Sequence, residues 1–130
     1  MKAAVISLIV SAIVIVGCSR KNPSLSVMTL STDTNTKIDN PSKEQIRAAI
    51  EDAATRPADG FVILAQTKMT YVQAAGNSEK QFWIEYQEES RANHYHGEKR
   101  LPIDETAEIL AAYARRDAGW KSATKWVSSR

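Results

Sequence analysis

Hydrophobic and polar positions divide the chain into three parts. Residues 3–16 form an apolar run without a charge, residues 19–40 are mostly polar, and the remainder changes between helical and strand periods. The run from Ala3 to Val16 holds about 14 residues and would measure about 21 Å as a helix. Since a bilayer core is about 30 Å thick, this length is typical of a signal peptide, which we place at residues 1–17.

The polar segment has no helical period and is rich in Ser, Thr, Asn and Asp. We interpret residues 18–40 as a flexible tether, in which the 22 residues from Ser19 to Asn40 predict a root-mean-square reach of about 26 Å. Four apolar residues interrupt it and are also compatible with a short strand or a docking segment: Leu25, Val27, Met28 and Leu30.

The first predicted helix follows this segment. Ser42 and Gln45 match a capping box, while Asn40 is a competing N-cap. The inward positions recur at helical spacing: Ile46, Ala49, Ile50 and Ala53. Arg56-Pro57 ends the helix, and we take residues 41–130 as a single small domain.

Strand patterns follow at residues 61–65, 69–75 and 81–87, and a shorter, more polar one at 93–98 is expected at a sheet edge. The first is continuously apolar, which predicts a strand covered on both faces. The third alternates cleanly: Phe82, Ile84 and Tyr86 face one way, and Trp83, Glu85 and Gln87 face the other.

A second helix is expected after Pro102, with Asp104 as its N-cap and Gly119 beyond its end. The tail from Trp120 to Val127 fits either a helix or a strand, and we favour a short helical turn that leads into a terminal strand. The order α-β-β-β-(β)-α predicts an α+β domain with an antiparallel sheet of three to five strands and both helices on one face.

Composition narrows the function classes. The net charge is +2, and removal of residues 1–17 would leave +1, without the basic excess that duplex-binding domains show. Nucleic acid is therefore not an expected partner. The single cysteine excludes an intramolecular disulfide and a zinc site built on several thiolates.

The apolar run ends in Ile15-Val16-Gly17-Cys18, which resembles the lipobox of bacterial lipoproteins. The resemblance implies cleavage after Gly17, lipid attachment to the Cys18 sulfur and a lipid-anchored protein of the cell envelope. Ser19 at the next position implies the outer membrane, facing the periplasm, if the host is Gram-negative. The alternative is an uncleaved anchor in which Cys18 is an incidental thiol.

We considered three kinds of chemistry in the domain. His94, His96 and Glu98 lie on one face of a predicted strand, but the outer two would stand about 13 Å apart on a flat strand, so we expect exposed histidines rather than a metal site. Glu88 and Glu89 lie in a polar connection and are expected to be solvated rather than catalytic. Neither a Gly-x-Ser-x-Gly elbow nor a glycine-rich phosphate loop occurs in the sequence, so we expect neither an enzyme nor a bound cofactor.

The predicted partner-binding residues are Trp83, Glu85 and Gln87. Most aromatic residues should be core, but Trp83 faces away from Phe82 and Ile84, and tryptophan is frequent at interface hot spots. The alternative for Trp83 is packing beneath a helix.

Several segments are similar to small α+β domains of bacterial proteins, among them immunity proteins of polymorphic toxin systems: FVILAQ, YVQAAG, WIEYQ, NHYH and AYARRDAGW. This resemblance implies a membrane-anchored domain that binds a protein and acts as an immunity protein or inhibitor. The alternatives are an envelope lipoprotein with a structural or assembly role, and a metal-binding or enzymatic domain that uses His94 and His96.

Overall fold

The computed structural model describes residues 26–56 and 58–130. The predicted signal peptide 1–17, the predicted lipidation site Cys18 and the first residues of the predicted tether lie outside the described residues. Within the described ranges, no helix is long and apolar enough to cross a membrane.

The described residues form one antiparallel sheet of eight strands. The strands are β1 (Thr29–Thr32), β2 (Lys37–Asp39), β3 (Phe61–Thr67), β4 (Thr70–Gly76), β5 (Gln81–Glu88), β6 (Ser90–Gly97), β7 (Leu101–Pro102) and β8 (Trp126–Ser128). Their order is β2-β1-β3-β4-β5-β6-β8, and β7 pairs with the start of β5. The chain is therefore α+β, but the prediction of three to five strands is wrong.

Two of the additional strands, β1 and β2, come from the segment that we interpreted as a tether. Met28, Leu30 and Thr32 point into the core, with relative exposures of 2%, 0% and 8%. β1 pairs with β3 so that Leu30 lies opposite Leu64. The segment was misinterpreted because Thr29 and Ser31 occupy the alternate, outward positions of the strand and give it a polar composition. Residues 29–39 thus belong to the domain.

The turn between β1 and β2 is attached to the rest of the fold by Asp33. Its carboxylate accepts hydrogen bonds from Arg56 Nε at 2.6 Å, from Arg56 Nη2 at 3.1 Å and from the backbone N–H of Phe61 at 3.1 Å. Chiefly through the hydrogen bond from Arg56, the pKa of Asp33 is lowered from 3.8 to about 2.

This shift predicts acid sensitivity. Asp33 stabilises the fold fully above its unfolded pKa of 3.8, and that contribution is lost as the pH falls towards about 2. We expect Asp33→Asn to be less stable than the wild type at neutral pH and to lose less stability on acidification. Urea midpoints between neutral pH and pH ~2.5 would measure this, with Asp59→Asn at an exposed carboxylate as the control. Equal pH dependence of wild type and Asp33→Asn would contradict it.

Helix α1 (Lys43–Ala53) begins with the predicted capping box: Gln45 N–H donates to Ser42 Oγ at 3.1 Å, and Ser42 N–H donates to Gln45 Oε1 at 2.9 Å. Helix α2 (Ile103–Ala114) is capped by Pro102 and not by the predicted Asp104. Pro102 has an extended backbone that leads directly into the helix, so Asp104 lies in the first turn instead. Both helices pack on the same face of the sheet, as predicted.

The C-terminal segment closes the core beside β6. A 3₁₀ helix (Ala118–Ser122) leads into β8, which confirms the interpretation as a helical turn followed by a strand. The rings of Trp120 and Trp126 contact the Tyr86 ring edge-on, with centroids 4.9 and 4.8 Å away. Because β8 pairs with β6, the strand that carries both histidines is not the sheet edge that we predicted.

With both helices on one side, the other face of the sheet is uncovered by the described elements, and we call it the open face. On β3, Val62 and Leu64 are fully buried beneath the helices, while Phe61, Ile63 and Ala65 remain partly exposed on the open face. The prediction that this strand is covered on both sides is therefore wrong. Its continuous apolar run instead places hydrophobic side chains on a solvent-facing surface.

Candidate partner-binding face

The register of the strands determines which side chains meet on the open face. One row crosses β3 to β6 as Ile63, Gln73, Glu85 and His96, and the next row consists of Phe61, Ala75 and Trp83. The alternation predicted for β5 is observed, with Phe82, Ile84 and Tyr86 buried and Trp83 and Glu85 on the opposite face.

Trp83 is the centre of an aromatic and cationic stack. Its ring lies against the His96 ring, with centroids 5.4 Å apart and planes inclined by 21°. The guanidinium carbon of Arg100 lies 5.8 Å from the centroid of the Trp83 ring. A cation at this distance from an indole is attracted by the ring quadrupole, so Arg100 and His96 restrain Trp83 without covering it with a helix.

Glu85 lies in the neighbouring row and is held by two contacts. His94 Nε2 is 3.1 Å from Glu85 Oε1, and Gln73 Nε2 donates to the same oxygen at 3.2 Å. The side chains of His94 and Glu85 are each 26% exposed. Glu85 is thus part of the predicted surface, but its charge is already hydrogen-bonded within the sheet.

Gln87 is buried and has a structural role. It is only 6% exposed, and its amide donates to the carbonyl oxygen of Met69 at 3.1 Å. This bond holds the turn between β3 and β4 against β5. Of the three predicted partner-binding residues, Trp83 and Glu85 are therefore accessible and Gln87 is not.

The three candidate metal ligands do not converge. His94 contacts Glu85, while His96 Nδ1 lies 3.0 Å from the carbonyl oxygen of Gly97. Glu98 lies beyond the end of β6, and its carboxylate is 4.0 Å from Lys125 Nζ. Among the described residues, no group of three or more His, Cys, Asp or Glu side chains is arranged to hold a metal ion.

A shallow depression of about 200 Å³ lies on the open face beside Glu85. It is lined by Ile63, Ala65, Thr67, Lys68, Tyr71 and Gln73. Burial, with the nearby charge of Glu85, raises the pKa of the Tyr71 hydroxyl above its ordinary value of 10.0.

Sequence reasoning missed Phe61, Ile63, Tyr71 and Arg100 as parts of this surface. The available signal was the apolar run of β3 itself. In a sheet that helices cover on one face only, every second residue of a strand points to the uncovered face. Arg100 had no comparable signal. It lies in a loop and reaches Trp83 because β7 pairs with β5.

The helix side carries a second concavity, an open groove of about 480 Å³. It is lined by Asp104, Glu105, Glu108, Ile109, Ala112, Arg115, Asp117, Gly119, Trp120 and Ala123. Asp104 pairs with Arg47 at 2.5 Å and Glu108 pairs with Lys43 at 3.3 Å. Much of its acidic rim is therefore neutralised within the chain, which makes the open face the stronger candidate for binding.

No family model matches the chain, and no match is found among curated proteins or among solved structures. The geometry combines a stacked tryptophan, partly exposed apolar side chains and an arginine on a broad sheet surface. Such a surface is suited to contact with another macromolecule more than to enclosing a small substrate.

Proposed function

We propose that this chain is a bacterial envelope lipoprotein whose domain binds a protein partner and does not catalyse a reaction. Acyl chains on Cys18 provide the anchor, and the open face around Trp83 provides the binding surface. The observation that carries the proposal is the Trp83 ring, held by His96 and Arg100 on a sheet face that no described element covers.

The residue types on this face support a protein partner. Tryptophan and arginine are enriched among interface hot spots because each gives a large contact area with a polar or charged end. Phe61 and Ile63, partly exposed on the same face, add apolar area beside them. The surface is thus an apolar patch with a cationic side group, as expected of the centre of an interface.

The charges favour an acidic partner. Glu85 is occupied by His94 and Gln73, whereas Arg100 forms no ion pair with a carboxylate in the part of the chain that the structure describes. A carboxylate of a partner that approaches Trp83 would therefore meet Arg100 as an available cation. Electrostatic complementarity of this kind increases the association rate and favours the correct partner.

The biological form that we propose is an inhibitor of the immunity type. This form is suggested by the resemblance of the strand segments to immunity proteins in the sequence analysis, and the lipid anchor would hold such an inhibitor in the envelope, where it could meet a toxin outside the cytoplasm. Ser19 supports the outer membrane in a Gram-negative host.

Site-specific photo-crosslinking tests the binding face. A photoreactive residue in place of Ala75, which pairs with Trp83 across β4 and β5, is expected to give one adduct of defined mass in cells. The matched control is Ala48, an equally exposed alanine on α1, which should give none. Loss of the adduct on Trp83→Ala or Arg100→Glu, with retention on Arg115→Glu, would support the proposal.

The affinity should change in parallel. With the crosslinked partner purified, Trp83→Ala is expected to raise Kd roughly 30-fold, the effect of losing about 2 kcal/mol at a hot spot. An adduct formed from position 48, or binding that is unchanged by both Trp83→Ala and Arg100→Glu, would contradict the proposed face.

A further inference from the structure

One end of the sheet is defined by the entry of the chain at Ser26. Thr29, the first residue of β1, pairs with Ala65 near the end of β3. The residues that precede Thr29 therefore lie beside the β3–β4 turn. The carbonyl oxygen of Ser26 accepts a hydrogen bond from Arg116, which follows α2. The β5–β6 turn is at this same end, where Glu88 pairs with Ser90. We call it the anchor-proximal end.

Exposed hydrophobic side chains are concentrated there. Of the three large hydrophobic residues that are exposed in the described ranges, Val27 and Met69 belong to this end, with exposures of 51% and 37%. Val127, at 41%, lies on β8. Met69 is in the turn between β3 and β4, next to Lys68, and its sulfur lies 3.7 Å from the amide nitrogen of Gln87.

Basic groups outnumber acidic ones around these side chains by a small margin, since Asp39, opposite Thr29 on β2, and Glu89 face three basic residues. Lys68, Arg91 and Arg116 lie at this end, and Glu88 is paired with Lys121 at 2.9 Å. Glu89 is the acidic group that remains in the β5–β6 turn. A slightly basic end with exposed apolar side chains fits an interface that contains anionic phospholipid headgroups.

The chain length from the anchor brings this end close to the membrane. Only eight peptide units separate Cys18 from Ser26, and a fully extended chain of that length spans about 28 Å at most. The tether predicted from the sequence contained nearly three times as many residues as this connection. The bond from Arg116 to Ser26 sets the point at which this chain leaves the domain.

We infer that the anchor-proximal end rests on the lipid surface, with Val27, Lys68 and Met69 in the headgroup region. This inference rests on the proposed lipid anchor at Cys18. Trp83 and Phe61 belong to a row near the opposite end of the sheet, so the domain would present its binding stack away from the membrane. The lipid would then determine orientation as well as localisation.

Depth-dependent fluorescence tests this orientation in the full-length, lipidated protein. A polarity-sensitive fluorophore is attached through Met69→Cys, and a matched label through Ser78→Cys in the β4–β5 turn at the opposite end of the sheet. Cys18 does not react because its sulfur carries the lipid. In vesicles of phosphatidylethanolamine and phosphatidylglycerol, the label at position 69 should shift to shorter wavelength and be quenched by headgroup-attached quenchers, and the label at 78 should not.

Charge variants separate orientation from simple attachment. Lys68→Glu combined with Arg91→Glu should reduce quenching at position 69, while Lys80→Glu in the opposite turn should not. Equal quenching at both positions, or stronger quenching at 78, would overturn the inference while leaving the anchor intact. Failure of the unlabelled full-length protein to float with the vesicles would instead overturn the anchor, and this inference with it.

Discussion

Cys18→Ser is expected to transfer the protein from the detergent phase to the aqueous phase in a Triton X-114 partition. The thioether to diacylglycerol requires the cysteine sulfur, and each methylene buried in lipid contributes about 0.8 kcal/mol. Two acyl chains therefore give stable attachment, whereas the apolar run of residues 3–16 is shorter than the roughly 20 residues that a membrane-spanning helix needs. Of the substitutions considered, this one should have the largest effect on localisation.

Mass spectrometry of the same samples distinguishes the anchor from an uncleaved signal. The wild type should lack residues 1–17 and carry the mass of the acyl groups, and Cys18→Ser should carry neither change. Ser19→Ala is the control, because it leaves the Ile15–Cys18 motif intact and should still partition into detergent. Intact residues 1–17 in the wild type, together with equal detergent partition of Cys18→Ser, would contradict lipidation.

The elements that depend on local sequence were predictable. The capping box of Ser42 and Gln45 is a contact over three residues, and the helical period after it needs no information from elsewhere in the chain. The alternation of β5 is equally local, and it correctly separated Trp83 and Glu85 from the buried Phe82 and Ile84. Such patterns state which face of an element is apolar, and this is enough to locate the centre of the candidate site.

The errors concern long-range pairing. β1 has a polar composition, and its strand conformation depends on hydrogen bonds to β3, whose paired residues lie 30 to 36 positions later in the chain. The length of a strand pattern likewise does not reveal whether helices cover one face or both, so β3 was expected to be buried on two sides. The number of strands and the existence of the open face follow from these pairings, which periodicity does not encode.

The candidate site was likewise predictable where it depends on local sequence and unpredictable where it depends on long-range pairing. Trp83 was found from its own strand, but its neighbours His96 and Arg100 are brought to it by β6 and by the loop before β7. Gln87 has the same strand face as Trp83 and is nevertheless buried, because the turn at Met69 folds over it. Alternation predicts a face, whereas accessibility also depends on the turns at its ends.

Leu30→Ala is the second substitution with a large expected effect, and it tests whether the segment before α1 belongs to the domain. Leu30 is fully buried, pairs with Leu64 and belongs to the core between the sheet and the helices. Removal of a buried leucine side chain usually costs about 2–5 kcal/mol, through lost transfer free energy and the cavity that remains. We expect a loss of about 3 kcal/mol in the free energy of unfolding. Urea denaturation in detergent solution, followed by tryptophan fluorescence, would measure it.

Val27→Ala is the matched control, since it truncates an apolar side chain of the same segment that is 51% exposed. Its effect on unfolding should stay within about 0.5 kcal/mol, as for most surface substitutions. If Leu30 belonged to a tether outside the fold, both substitutions would be equally harmless. A small effect of Leu30→Ala would therefore mean that β1 is not part of the core and that the chain between Cys18 and the domain is longer than we infer. The physical basis for a fixed orientation on the membrane would then be lost.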